Sequence, residues 1–330
     1  MTKTGAKPGC HLTRKGTVEM KKQVIALTAA TLMSATAALA EYPEKPVSFI
    51  VPWPPGDLED VLTRLIADKF QEMYGVPAAV VNKPGGGGGP FPGAVEVATA
   101  PADGYTVGSF VTDVPIGGPQ IGIPELSPNP FEPIGIFMTY PFVIAAGADA
   151  PYATWAELAD YAKENEIALG HFGSFLPPTQ ITFAAAKTSG FDFASEAAFD
   201  ELNCNTLASG DVDVINTTLQ QIQPCLGEVK ILASIGKERT SLTPNVQTMQ
   251  EINPDLSVAL WNGLFVHKDV PEDARIKISE AAQAALKSPQ ALELIGQTGV
   301  LIYWQDPVQS EQQIEADAAA LQKISELIEQ

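Results

Sequence analysis

The chain has 330 residues, 45% of them hydrophobic, and carries 39 acidic against 20 basic side chains, a net charge of −19. So acidic a surface repels nucleic acid and anionic lipid, which excludes polynucleotides as partners, while the length is ample for one or two domains with a buried core. With only three histidines and three cysteines, a zinc site has little to be built from, and neither a metal nor a cofactor is expected.

In chain order the first feature is Met20, followed by Lys21, Lys22, an apolar run from Val24 to Leu39 and the small-residue ending Ala38-Leu39-Ala40. A charged head, a short apolar stretch and a small-x-small pattern make a secretory signal peptide cleaved before Glu41, so residues 1–40 comprise a non-structural start and that signal. About 16 apolar residues fall short of the ~20 that span a bilayer. Cleavage removes Lys3, Lys7, Arg14, Lys15, Lys21 and Lys22 but only one acid, Glu19, so the remaining chain is more acidic still. Cys204 and Cys225 survive it. An even pair in an oxidising compartment suggests a disulfide, the alternative being two buried free thiols.

Strand-like and helix-like runs then alternate almost throughout, the pattern of an α/β protein with parallel sheets. Val47 to Val51 reads as a strand and Pro52 to Gly56 as a loop. In the helix that comes next, Val61, Leu62, Leu65, Ile66, Phe70 and Met73 recur at helical spacing. A strand from Ala78 to Val81, a Gly/Pro loop, a short helix near Val95 and a strand from Thr106 to Val111 complete a first unit. Residues 115–133 read as an irregular, proline-rich connection. Phe142 to Ala146 opens the next unit, and Thr154-Trp155-Ala156-Glu157 has capping-box spacing for a helix to about Glu164. Further strands are expected at Ile167 to Gly170, Val212 to Asn216, Ile231 to Ser234 and Val258 to Val266, with mostly helix after Pro271. Gly85 to Gly89 lack the Gly-Lys-Ser/Thr of a phosphate cradle and do not enter directly from a strand, so they read as a loop. No G-x-S-x-G elbow and no histidine pair appears, and Ser174 near His171 is too weakly patterned for a nucleophile and its base.

Six segments in succession carry a resemblance. They are Tyr42-Pro43-Glu44-Lys45-Pro46; Val51-Pro52-Trp53-Pro54-Pro55-Gly56 with Asp60; Val81-Asn82-Lys83-Pro84-Gly85; Pro101-Ala102-Asp103-Gly104-Tyr105-Thr106; and, later, Leu207-Ala208-Ser209-Gly210-Asp211-Val212-Asp213 with Trp261-Asn262-Gly263-Leu264-Phe265. Together they resemble the Bug-type receptors of tripartite tricarboxylate transporters. The resemblance implies an α/β, two-domain periplasmic-binding-protein (Venus-flytrap, type II-like) fold with crossing hinge strands that closes on its ligand. Domain one would take 41–140 plus 259–330 and domain two 141–258, with crossings near Tyr140 to Val143 and Val258 to Trp261.

The implied function is capture of a small organic acid in the periplasm by a monomeric receptor, without catalysis, and delivery to the membrane permease subunits of such a transporter. A sensory receptor serving a histidine kinase and, further off, a periplasmic hydrolase are the competing readings. In the family a ligand carboxylate is held by amides and hydroxyls of the loop after the first strand, and helix N-termini suit an anion on physical grounds alone. Carried onto this chain, that loop offers Trp53, Pro54, Pro55, Gly56, Asp57 and Asp60, and its counterpart offers His171, Gly173 and Ser174. Asn82, Ser109, Thr112, Asn216, Thr217 and Asn262 would face the same cleft from strand ends. Two departures stand out: Asp57 and Glu59 replace a glycine and a threonine or serine, and Thr179 replaces a histidine. Acids in the first turn of a helix are favourable without any ligand, so both are expected to point outward and cap the helix near Leu58. Trp53, Phe172 and Phe175 would then form an apolar flank. Facing inward, the acids would instead select a cationic or hydroxylated ligand, directly or through a metal ion.

Overall fold

The computed structural model describes residues 41–85 and 89–329 and the isolated Gly5 and Gly9; Met20 to Ala40, read as a signal peptide, and Gly86 to Gly88 lie outside the described residues.

Two sheets organise the unit Tyr42–Gln330. The first has the order β11-β4-β10-β3-β1-β2, built from β1 (Val47–Val51), β2 (Ala78–Asn82), β3 (Thr106–Val111), β4 (Phe131–Thr139), β10 (Trp261–His267) and β11 (Leu301–Gln305). The second has the order β7-β6-β8-β5-β9, from β5 (Phe142–Gly147), β6 (Ala168–His171), β7 (Ser195–Ala198), β8 (Val214–Thr218) and β9 (Val229–Ile235). β1 runs parallel to both its neighbours and is buried at every position but Ser48, as a strand covered on both faces should be. The helix α1 (Leu58–Tyr74) lays Leu58, Leu62, Ile66 and Phe70 against that sheet at four-residue spacing. It ends at Gly75, whose φ of 72° places it in the left-handed region while its N–H donates to the Gln71 carbonyl. The other longer helices are α2 (Phe91–Thr99), α3 (Trp155–Ala162), α4 (Pro177–Thr188), α5 (Glu272–Ala285), α6 (Pro289–Thr298) and α7 (Pro307–Ile328).

The chain leaves the first sheet after Thr139, enters the second at Phe142, and returns at Trp261 to insert β10 antiparallel between β3 and β4. The two crossings run side by side, the Tyr140 N–H donating to the Leu260 carbonyl at 2.8 Å. This is a two-domain α/β fold with crossing strands. The C-terminal helix departs from the simple division expected of the sequence, because Ile324 of α7 is buried in the core under the second sheet.

Three strands escape the sequence pattern. β4 ends the stretch read as irregular, because Pro133 and Gly135 interrupt its hydrophobic run. A register shift between Leu264 and Phe265 lies opposite Pro133, and at Gly135 the Trp304 ring packs on the backbone, where a Cβ would come within 2.4 Å. β7 is four residues of Ser-Glu-Ala-Ala at a sheet edge, with no hydrophobic signal. β11 is hidden in a region otherwise helical.

Cys204, which opens a short helix, is disulfide-bonded to Cys225, with Cα atoms 5.9 Å apart and a sequence separation of 21. Closing a loop of that length stabilises by about 3 kcal/mol through the unfolded chain. Reduction should therefore lower the urea midpoint of the protein, and Cys204→Ser with Cys225→Ser should reproduce the loss; an unchanged midpoint in both would show that the crosslink constrains little.

Candidate functional site

Ligand sites of α/β sheets form beyond the carboxyl ends of strands, where chain direction leaves a crevice. Here the segments after β1, β3, β6 and β8 converge with the two crossings around a cavity of about 70 Å³. One water needs roughly 10–15 Å³ by this measure, so the space suits a small solute. The first sheet contributes Trp53, Asp57, Leu58, Glu59, Val111, Thr112 and Asp113, the second Phe172, Leu176, Pro178, Thr218, Gln220 and Gln221, and the crossings Tyr140, Phe142, Leu260 and Trp261.

Contacts between the two sides close it. Gln220 Nε2 donates to the Gly56 carbonyl at 2.8 Å and Gln221 Nε2 to Asp57 Oδ1 at 3.5 Å. Phe175 lies 6.1 Å, centroid to centroid, from Phe91 and sits outside the cavity lining, half of it exposed, rather than forming the expected flank. Trp53 and Phe172 do line it.

Of the residues expected at the site, Trp53, Asp57 and Thr112 line the cavity, and the rest lie outside its lining. Asp60 turns away: it accepts from the Gly56 N–H at 2.9 Å, from Arg64 at 2.9 and 3.0 Å and from Asn82 at 2.9 Å, and Asn82 also donates to the Trp53 carbonyl. Burial pushes Asp60 up, but these donors together outweigh it and hold its carboxyl below the usual range. Pro54, Pro55 and Gly56 form the outer wall of the same loop, Pro55 and Gly56 being exposed. Asn216 donates to the Pro178 carbonyl and to Thr182, anchoring the start of α4, and the Thr217 hydroxyl donates to the Leu202 carbonyl. His171 pairs with Glu196 and packs edge-on to Phe183; burial lowers its pKa against the pull of that glutamate. Gly173 accepts from the Leu176 N–H, and the Ser174 carbonyl from Gln180.

The expected outward placement of Asp57 and Glu59 is corrected by the structure. Neither side chain caps α1, and both face the cavity. Glu59 is drawn in because Leu58 and Leu62 fix the buried stripe of α1, and its neighbour on that face is the Tyr140 hydroxyl, 3.1 Å from Glu59 Oε2 and 3.3 Å from Asn262 Oδ1. Asn262 Nδ2 donates to Ser109, which is hydrogen-bonded to Thr63. The tyrosine has one proton for two acceptors. A neutral Glu59 carboxyl satisfies both; a carboxylate would leave Asn262 Oδ1 without its donor. Burial, with Asp57 adding to it, raises Glu59 well above the carboxylate range in agreement. Burial also lifts Asp57 to about 6, partly offset by Gln221, and Asp113 to about 7.

Asp113, Tyr140, Thr218, Gln220 and Gln221 were not picked out from the sequence. Each lies within three residues of a strand end, the one signal that pointed to them. Among the described residues no cluster of three His, Cys, Asp or Glu is placed to hold a metal ion, and no helix is long and apolar enough to cross a membrane.

The family described as the tripartite tricarboxylate transporter family receptor matches residues 62–330. A protein of Agrobacterium vitis encoded in the TAR-I ttuE-ttuC' intergenic region is 28% identical over 332 residues, covering 93% of this chain and 91% of its own. Among solved structures, the periplasmic binding protein BugD is 27% identical with a TM-score of 0.72, over 86% of this chain and 99% of its own. MatC of Rhodopseudomonas palustris, described with bound malate, shares the fold at 22% identity and a TM-score of 0.75, over 86% and 99%.

Proposed function

This chain belongs to the tripartite tricarboxylate transporter receptor family, and from that premise we propose that it captures a small organic acid in the periplasm and hands it, chemically unchanged, to the permease subunits of such a transporter. The observation that carries the reading is the position of the cavity, lined by both sheets at the crossings, so that closure and binding are one event. A solute there is reached from two sides, and the Gln220 and Gln221 contacts to the loop of Gly56 and Asp57 form only when the sides meet. Export by the signal segment, a mature start at Glu41 and a monomeric state belong to the same proposal.

Protein released from the periplasm, denatured and extracted, should yield a small carboxylic acid by mass spectrometry, and deletion of the gene should abolish high-affinity uptake of that compound. Undiminished uptake in the deletion strain, or turnover of the compound by the purified protein, would overturn the reading.

A further inference from the structure

The loops on either side of the cleft offer few free amides to an anion. Pro52, Pro54 and Pro55 have no N–H, and that of Gly56 is taken by the chain's own Asp60. On the opposite side α4 opens with Pro177 and Pro178, again without donors, while the N–H of Leu176 donates to the Gly173 carbonyl and that of Thr179 to the Leu176 carbonyl. Helix N-termini bind anions through free amides; at α4 proline and internal bonds have removed them, and at α1 the first turn carries carboxyls of its own, Glu59 receiving the amide of its own residue. Among the described residues no lysine, arginine or histidine lines the cavity, whereas Asp57, Glu59 and Asp113 do.

Two unpartnered polar groups point to what fills it. The Thr218 hydroxyl belongs to a residue only 7% exposed, lines the cavity and has no hydrogen-bond partner among the described residues; Trp53 Nε1 is likewise sealed from solvent without one. Buried polar atoms are rarely left so unless a ligand completes them. A hydroxyl can accept from a donor, and an indole N–H gives to an acceptor. A ligand that carries both completes the two groups. Trp53, Phe142 and Phe172 line the same cavity, and aromatic rings there favour a cation further.

We propose that the cleft takes an organic acid bearing a protonated amine, its ammonium seated among Asp57, Asp113 and Thr218 and its acceptor end on the Trp53 indole. This rests on the receptor reading and narrows its ligand class. The ionisable groups facing these carboxyls are Glu59 and Asp60 on α1, Tyr140 on the crossing, and Glu201 beside Asp57. Arg64 is engaged by Asp60 through two nitrogens and brings no free charge to them. Binding of an ammonium should thus tighten as pH rises and the two aspartates ionise, where a plain carboxylate would bind more weakly.

Three probes built on three carbons test this by calorimetry at equal ionic strength: propylamine, β-alanine and propionate. The amine-bearing pair should bind at least about tenfold more tightly than propionate, and the preference should vanish in the Asp57→Asn, Asp113→Asn double variant. Propionate binding as tightly as β-alanine, or no binding by either amine, overturns the proposal on wild-type protein alone, whether or not the variant folds. The periplasmic extract tests it separately: an acid without a basic nitrogen would sink this inference and leave the receptor reading standing, whereas undiminished uptake in the deletion strain would sink the receptor reading itself.

Discussion

Trp261→Ala should destabilise the protein by about 5 kcal/mol, the largest loss expected of any single substitution at the site. Trp261 is fully buried at the start of β10, where the second crossing re-enters the first sheet, and its ring stacks on Phe265 at 6.2 Å. Truncating a buried tryptophan removes transfer energy and leaves a cavity, together worth about 3–5 kcal/mol. The indole also donates to Asp317 Oδ2 at 2.7 Å, and α7 is pinned there by that bond. Without it Asp317 keeps the side-chain bond from Gln313 and a backbone bond from Ala259, so a buried carboxyl loses one of its donors, which costs a further 1–3 kcal/mol or so. Trp261→Phe separates the two effects: most of the volume stays and the N–H goes, so about 1–3 kcal/mol of the loss should remain. The backbone clamp to Thr112, whose N–H donates to the Trp261 carbonyl and whose hydroxyl accepts from the Trp261 N–H, survives either change. Urea unfolding of the three proteins checks this, and an alanine variant within about 2 kcal/mol of wild type would show that the crossing collapses around the gap.

How much of the fold and site is legible in the sequence depends on which force places each residue. Leu62, Ile66 and Phe70 announce a helix because burial of one stripe dominates its energetics, and the same periodicity cannot say which polar neighbours go in with it. Glu59 lies on the edge of that stripe. The preference of acids for a helix's first turn, worth only about 0.3–1 kcal/mol, favours an outward placement. Packing of Leu58 and the reach of Tyr140, 81 residues away, outweigh that preference. Asp60 and Asn82 look like ligand groups by type and loop position, and became the frame of the loop because Arg64 sits one turn after Asp60 on the same face. Asn216 and Thr218 share one face of β8, yet only Thr218 lines the cavity, because Asn216 is used to hold α4. Such choices are made by contacts between distant segments, and no local pattern records them.

Stability of the unliganded protein should fall as pH rises from about 4 to 7, and Asp113→Asn should remove much of that fall. Asp113 is buried, its pKa is raised from an ordinary 3.8 to about 7, and it receives only the amide of its own residue. A raised folded-state pKa means that between the two values the folded protein keeps a proton the unfolded chain has shed, so stability declines with pH across that window and the full penalty is reached above the folded pKa. A rise of that size corresponds to at most about 4 kcal/mol. Asp57 and Glu59 act in the same direction. Asp60, with its lowered pKa, acts oppositely: its contribution is present above the unfolded pKa and is lost as pH falls through the folded one. Wild type and Asp113→Asn share these contributions, which cancel in the difference between them. That difference in unfolding free energy, measured by urea titration at each pH, should grow from near zero at about pH 4 to several kcal/mol in favour of the variant above about pH 7. A difference that stays flat across the window would mean that the carboxyl is solvated and ionised throughout. The penalty has a counterpart in binding. An ammonium beside Asp113 stabilises the ionised form, so at pH values near 7 it should displace the proton that burial retains, and calorimetry in buffers of different ionisation enthalpy should register proton release with β-alanine. Proton uptake instead would mark an anion held by neutral acids.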